Sequence, residues 1–337
     1  MKKTVWVKDV PIGTGRIKIQ SMTNTLTTDI TATTEQILAL KCAGADMVRI
    51  AIPDVESAIA VKEIIKCGVP IIGDIHYGAK PARIAIDNGV HKIRINPGNM
   101  SGEAIREVVF SAKERNIPIR IGVNKGSVKG ETTPETLAFL AADCAKRIED
   151  IGYDNLVLAV KTSDVKETVL AYRKLAGLTP YPLHIGLTEA GTKETGTIKS
   201  AVAIGSLLLD GIGDTIRVSL SGDPINEIYA AKKILRAAGI DKNCVEIIAC
   251  PTCARTEIDV EKIAEKLEEL TKDIEKPLKI AVMGCTVNGI GEGKGADFGI
   301  AGGRDKSVLF VKGQQVDAID NDKIFDTLTE LVRNTNV

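Results

Sequence analysis

Between residues 17 and 220 the hydrophobic pattern switches repeatedly between two periods. Eight short runs rich in Ile, Val and Leu read as strands, at 17–22, 47–52, 70–75, 92–97, 118–123, 155–161, 182–187 and 214–220. Between them apolar positions recur at helical spacing, such as Ile37, Leu38 and Leu40, or Ile225, Ile228, Ala231 and Ile234. Strands alternating with helices predict parallel βαβ units. Eight of them in about 240 residues fit a closed (β/α)8, or TIM, barrel. An open doubly wound sheet ranks below it, because no Gly-x-Gly-x-x-Gly follows the first strand. Asp223 reads as an N-cap ahead of Pro224, and Gly239 as a C-cap. The barrel is therefore expected over residues 1–240 and a smaller α+β unit over 241–337. In that unit we expect strands at 245–249 and 279–283, a charged amphipathic helix at 257–271 and a glycine-rich run at 285–303. A hairpin of 308–311 with 314–316 and a last helix near 323–332 follow.

Length agrees with a large barrel plus a small domain: the chain has 337 residues. Lys and Arg number 44, as do Asp and Glu. No overall field therefore draws nucleic acid or an anionic membrane, and any anion site must be built locally. Neither a signal-length apolar run at the N-terminus nor a stretch of about 18 apolar residues is present, so a cytoplasmic protein is expected. Seven cysteines are an odd count, which favours reduced thiols over a disulfide framework.

Five predicted strands carry a cation near their C-terminal ends: Arg49, Arg94, Arg120, Lys161 and Arg217. Alternation turns these inward if their Ile and Val neighbours pack under the helices. Barrel active sites lie at that end, and unpaired buried cations are costly. Guanidinium forks match phosphate oxygens in pairs, so the cluster predicts a site for a compact polyanion, most simply a diphosphate. Asn96, Asn124 and Ser219 share those strand faces as neutral donors. The bland alternative pairs each Arg with a barrel carboxylate such as Asp74 or Glu189. Asp74 and His76 close the third strand on one face and can orient a hydroxyl or relay a proton. Glu189, ending the seventh strand, is the best-placed acid/base candidate. His91 and His184 read as structural, and Cys42, Cys67 and Cys144 as core thiols.

Cys250-Pro-Thr-Cys253 and, after 31 intervening residues, Cys285 form a second constellation. Structural zinc wants a fourth Cys or His ligand, but no His lies beyond His184, no second Cys-x-x-Cys is present, and Cys244 starts a strand outside the motif. Three thiolates with one open or oxygen-ligated position suit a catalytic 4Fe-4S cluster, with Glu292 as the hard ligand. A redox dithiol or a partial zinc site remains the alternative. The glycines from Gly289 to Gly295 read as a loop whose backbone N–H groups crowd around sulfide or phosphate.

The stretches Gln20-Ser-Met-Thr-Asn-Thr25, Gly73-Asp-Ile-His76, Arg94-Ile-Asn-Pro-Gly-Asn99, Arg120-Ile-Gly-Val-Asn124, Cys250-Pro-Thr-Cys-Ala-Arg255 and 283–292 together resemble the 4-hydroxy-3-methylbut-2-enyl diphosphate synthases of the non-mevalonate isoprenoid pathway. Ile290 stands where many relatives have proline. The resemblance implies reductive ring opening of a cyclic diphosphate, with electrons from ferredoxin or flavodoxin passing through a 4Fe-4S cluster. It implies that Arg49, Arg94, Arg120, Lys161, Arg217 and Ser219, with Asn124 alongside, hold the diphosphate. Cys250, Cys253, Cys285 and Glu292 would hold the cluster, and Glu189 would act as acid/base. The eighth helix ends at the barrel bottom. A linker of five residues spans at most about 18 Å, whereas a 15-residue helix is about 22 Å long. The cluster domain is therefore expected to cap the barrel of a second chain in a head-to-tail homodimer, which is also the family arrangement. Two other readings stand beside this one. One is a pterin-binding-synthase-like barrel with a structural metal site. The other is a nucleic-acid-binding cysteine module, against which the balanced charge argues.

Overall fold

The computed structural model describes residues 2–128, 130 and 132–335, the side chain of Asn288 set aside, and the chain divides into two compact units that meet at Ile240 and Asp241. In the first, eight strands of the described residues alternate with helices. They are β1 (Lys18–Met22), β2 (Met47–Ile52), β3 (Ile71–Ile75), β4 (Lys92–Ile95), β5 (Ile119–Asn124), β6 (Leu156–Lys161), β7 (His184–Ile185) and β8 (Thr215–Ile216). The helices are α1 (Ile30–Ala43), α2 (Val55–Ile64), α3 (Ala79–Asp87), α4 (Gly102–Glu114), α5 (Pro134–Asp150), α6 (Val165–Ala176), α7 (Lys193–Leu209) and α8 (Ile225–Ala237). The strand order is β6-β5-β4-β3-β2-β1-β8-β7, all parallel. A bridge between Leu158 and Leu183, with the Leu158 N–H on the Pro182 carbonyl at 3.0 Å, closes the ring and excludes the open sheet.

Alternation builds the wall. Ile93, Ile95, Ile119, Ile121, Leu158 and Val160 are fully buried in the layer between strands and helices. Each contributes roughly 1.5–3 kcal/mol by leaving water. Caps set the helix starts: Asp29, Asp54, Ser101, Thr133 and Asp164 each accept a backbone N–H three residues on. Asp223 accepts from Ile225 N–H, and Gly239 turns left-handed (φ 68°) two residues past α8. In α1, Leu38 faces outward, while Thr33, Ile37, Leu40 and Ala43 are buried.

Three features of this unit differ from the sequence expectation. The strands at 182–187 and 214–220 shrink to two residues each, because Gly186 (φ 152°) brings the backbone against β8. A Cβ there would stand 2.3 Å from the Arg217 carbonyl oxygen. An N-terminal antiparallel hairpin pairs Val5–Val7 with Val10–Ile12. Val5, Val7 and Ile12 pack on Met47, Ile72 and Val157, the inward residues at the starts of β2, β3 and β6, and so close the barrel floor. Finally, Cys42 is exposed and Cys67 half-buried; of the three helix thiols only Cys144 is a core residue.

The second unit holds a five-stranded sheet in chain order: β9 (Val245–Ala249), β10 (Leu278–Met283), β11 (Phe298–Ala301), β12 (Lys306–Val311) and β13 (Gln314–Asp320). The first three are parallel and the last two antiparallel additions. Helices α9 (Val260–Thr271) and α11 (Ile324–Asn334) bury Leu267, Leu328 and Val332 against Val245, Ile280 and Ile300. The glycine-rich run is not a loop: Thr286–Glu292 forms a helix, α10. A Cβ on Gly289 would stand 2.9 Å from the Cβ atoms of Met283 and Ala301, and one on Gly293 would stand 2.5 Å from Phe310 Cζ. These two glycines let the helix and its cap lie flat on the sheet, which replaces the anion-cradle expectation at those positions.

Candidate functional site

The barrel interior is strongly cationic. Arg49, Arg94, Arg120 and Lys161 are buried and Arg217 half-buried, and their strand alternation turns all five inward. Two carboxylates meet three of them. Asp74, facing Arg94 in register on β3, accepts from Arg94 Nη1 at 3.1 Å and lies 3.5 Å from Arg49 Nε. Glu227 on α8, which the sequence pattern did not single out, pairs with Arg217 at 3.3 Å and also accepts the Leu220 N–H. Arg49 Nε and Nη2 donate to Met22 Sδ, 3.1 and 2.9 Å away. Arg120 and Lys161 make no ion pair among the described residues, and Arg120 Nε and Nη1 have no protein acceptor. The expectation that carboxylates match every cation is therefore not met: three are paired and two are not.

Burial and mutual repulsion act together on these groups. Burial, and then the neighbouring arginines, push Arg120 and Lys161 well below their usual ranges. Arg49 is lowered to about 10 by burial, although Asp74 opposes the change. Burial disfavours the Asp74 carboxylate, but Arg49, Arg94 and Arg120 outweigh it and hold the carboxyl at about 2. Asp74 is thus an ionised strut between two arginines in the free chain.

Gly122 and Gly186 make room for the cations. A Cβ on Gly122 would stand 3.0 Å from Arg94 Nε, and one on Gly186 would stand 3.1 Å from Lys161 Nζ. Gly122→Ala is expected to displace the Arg94 fork from Asp74 and cost about 1–3 kcal/mol by overpacking. A denaturant midpoint measured at constant m-value reads this loss.

Above the cations lies a cleft of about 630 Å³ that brings together His76, Arg94, Asn96, Asn124, Thr162 and Glu189. His76 is half-buried at its rim, apart from the buried Asp74 below it. Glu189 makes no ion pair among the described residues, and its backbone is left-handed (φ 53°). Such a conformation in a non-glycine residue persists only when its surroundings impose it. Here the Thr188 N–H bonds the Thr162 carbonyl at 3.2 Å and the Ser221 N–H bonds the Gly191 carbonyl at 2.9 Å, fixing the turn on both sides. Asn96 is committed elsewhere: its amide bonds Ser127 Oγ and the Gly98 N–H, which pins the loop after β5. Asn124 and Ser219 are half-buried.

His91 and His184 are structural in different ways. His91 Nδ1 accepts the Ile71 N–H at 3.0 Å. His184 lies inside the barrel, bonded through Nδ1 to Thr215 Oγ1 at 2.8 Å, and burial with the surrounding cations holds it well below its usual range. Lys92, likewise absent from the sequence expectation, is fully buried below Arg94 on the same strand face. A separate apolar cleft of about 660 Å³ between α4 and α5, lined by residues such as Met100, Val123, Leu140 and Ile148, includes none of these cations.

In the second unit the cysteine-bearing loops follow neighbouring parallel strands, β9 and β10. Cys250 Sγ accepts the Gly284 N–H at 3.0 Å, and the Glu257 N–H bonds the Gly284 carbonyl at 2.8 Å, so the two loops are laced together. Thr256 Oγ1 accepts the Cys253 N–H. Backbone and side-chain hydrogen bonds from Arg255 draw the exposed Cys253 thiol below the usual thiol range. Arg255 in turn is raised by its bond to Cys253 and by the charges of Cys253, Cys285 and Glu292. Cys285 and Glu292 lie at opposite ends of α10, about two turns apart on one face. Among the described residues no three His, Cys, Asp or Glu side chains stand close enough to hold one metal ion. The donors converge on one corner without being gathered to ligand distance. Their chemistry, three thiols and a carboxylate beside an N–H donor and a guanidinium, fits an iron–sulfur cluster better than a hard cation.

Comparisons with known proteins agree over most of the chain. The family model described as the GcpE TIM-barrel domain matches residues 2–232, and that described as the GcpE protein C-terminal domain matches residues 246–334. A Caldanaerobacter subterraneus subsp. tengcongensis protein named 4-hydroxy-3-methylbut-2-en-1-yl diphosphate synthase (flavodoxin) is 49% identical over 325 residues, covering 94% of this chain and 92% of its own. A Clostridium perfringens protein of the same name is 46% identical over 329 residues, covering 95% and 94%. Among solved structures, dihydropteroate synthase from Thermus thermophilus in complex with 6HMPPP is 15% identical with a TM-score of 0.52, covering 71% of this chain and 98% of that one. At that identity the likeness is one of fold alone.

Proposed function

The chain belongs to the GcpE family, and from that premise we propose that it opens 2-C-methyl-D-erythritol 2,4-cyclodiphosphate reductively to 4-hydroxy-3-methylbut-2-enyl diphosphate. The overall change takes two electrons and two protons and releases one water. The observation that carries the reading is the imbalance inside the barrel: among the described residues Arg120 and Lys161 pair with no carboxylate, while Arg49 and Arg94 share one. A diphosphate supplies the missing negative charge and accepts guanidinium forks two oxygens at a time. Arg49, Arg94, Arg120, Lys161 and Arg217 hold the phosphates, with Asn124 and Ser219 as neutral donors. Asn96 supports the site by holding its loop. The grip on the phosphates positions the carbon skeleton. Glu189, in no ion pair among the described residues and set at the cleft wall, moves protons to and from the departing oxygens, and His76 orients a hydroxyl at the rim.

Cys250, Cys253, Cys285 and Glu292 are the residues that would hold a 4Fe-4S cluster, which supplies electrons one at a time when bound. Arg255 lowers the cost of gathering thiolates by placing a positive charge among them. The curated relatives' names support flavodoxin as the electron donor. We further propose a cytoplasmic homodimer in which the cluster-bearing unit of one chain serves the barrel of the other. Its support is the short linker after α8. No helix of the described residues is long and apolar enough to cross a membrane.

Anaerobic purification tests this reading. The expected result is a broad visible absorbance, about four irons and four sulfides per chain, and turnover of the cyclic diphosphate with reduced flavodoxin. Zinc without iron, or iron without turnover, would overturn it. A pterin-binding synthase shares the fold, but nothing in the cysteine corner favours that chemistry.

A further inference from the structure

Lys92 opens β4 with no surface exposed to solvent. It shares its strand face with Arg94 and Asn96, so its side chain points into the barrel one tier below the arginines. Its amine approaches Met47 Sδ at 3.8 Å and bonds no oxygen among the described residues. It pairs in register with Ile72, and Ile72 and Met47 belong to the apolar floor that the hairpin seals with Val5, Val7 and Ile12. Charged groups turn inward on or beside every strand around it: Lys18 with Asp46 at β1, Arg49 on β2, Asp74 on β3 and Arg94 on β4 itself; Arg120 and Arg49 act on it most. Arg120 on β5, Lys161 on β6, His184 on β7 and Arg217 just past β8, with its Glu227, complete the ring. Among the described residues, the carboxylates paired with the arginines are Asp74 and Glu227, and both are already engaged.

We propose that Lys92 is the charge reserve of the anion site: its amine is unprotonated before the diphosphate binds and takes up a proton as the diphosphate settles among the arginines above it. The inference rests on the reading of the barrel as a polyanion site. An ammonium in this floor has apolar neighbours below and cations above, an arrangement that burial makes costly. A polyanion over Arg120 and Lys161 reverses the field that Lys92 senses. Burial, then Arg120 and Arg49, already hold the Lys92 amine well below the usual ammonium range, consistent with the geometry. The complex binds the proton more tightly than the free chain, so the added affinity is complete at low pH and is lost as pH rises through the window between the two states. Within that window affinity falls about tenfold per pH unit.

Calorimetry of inorganic pyrophosphate binding to the full chain, in buffers of unlike ionisation enthalpy, counts the protons taken up. Lys92→Met, chosen to match Met47 beside it, is expected to bind with up to about one proton fewer than the wild type and with a flatter pH dependence. Lys92→Arg, which keeps its proton throughout, is expected to show the same lower count. A proton count unchanged in either folded variant overturns the inference, as does wild-type binding without proton uptake. No pyrophosphate binding by the wild-type chain brings down the polyanion reading, and this inference with it. Binding with an unchanged count brings down the inference alone.

Discussion

Glu189→Gln lowers kcat by about 10²–10⁴-fold, the usual reach of a positioned proton carrier, while affinity for the cyclic diphosphate stays within about twofold. The two halves of this expectation come from different observations. Affinity is assigned to the arginine tier, and Glu189 joins no ion pair there among the described residues, so its charge is not part of the phosphate grip. Turnover is assigned to Glu189 because its left-handed backbone (φ 53°) holds the side chain in the cleft with His76, Asn124 and Arg94. Glutamine keeps the shape and the backbone strain, but it is neutral and can neither take nor give the proton. Single-turnover rates with binding measured separately decide the matter. Parallel loss of affinity and rate would make Glu189 a binding residue instead.

Asp74→Asn destabilises the barrel by about 3–5 kcal/mol, the cost of leaving buried charges without their partner. Two arginines share that carboxylate, at 3.1 and 3.5 Å, so one substitution undoes both contacts. The pH dependence has a definite sign. Asp74 titrates at about 2 in the folded chain, below the roughly 3.9 of an unfolded aspartate. Its contribution is therefore complete above the unfolded value and disappears as pH falls through the folded one. Wild type and variant converge in acid and separate toward neutrality. Pyrophosphate restores part of the lost stability in the variant, because it neutralises the same guanidinium groups. A chemical-denaturation series over pH, with and without pyrophosphate, measures both effects. Equal stability of the two proteins at neutral pH would show that Asp74 holds nothing together.

The barrel is legible in the sequence because the Ile-Arg-Ile runs at 93–95 and 119–121 state both facts about a strand at once. The aliphatic positions need burial under helices, and the intervening cations can then only turn inward. The same logic extends to Lys92-Ile-Arg94, but a cation that opens a strand lies at the barrel end where active sites do not form, so the pattern gives it no role. Glu227 is invisible for another reason. It reaches Arg217 from the following helix, and no strand period reports such a contact. Asn96 shares a face with Arg94 as expected, but a strand pattern cannot show that Ser127 and Gly98 already claim its amide. The helix α10 is hidden by its composition, since glycine weakens helices. Its compensation is close approach to Met283, Ala301 and Phe310, a tertiary gain that local propensity does not contain. The cysteine spacing locates the corner where donors meet, while the lacing of its loops through Gly284 emerges only from the structure.

The hairpin of residues 5–12 works as a stopper. A cylinder plugged at its foot has one doorway, so whatever enters from the rim must leave by the rim. Substrate, displaced solvent and product therefore queue at the same opening. Unplugging that end would flood the positive chamber from beneath and weaken its hold on a phosphate guest without touching a single residue that grips one.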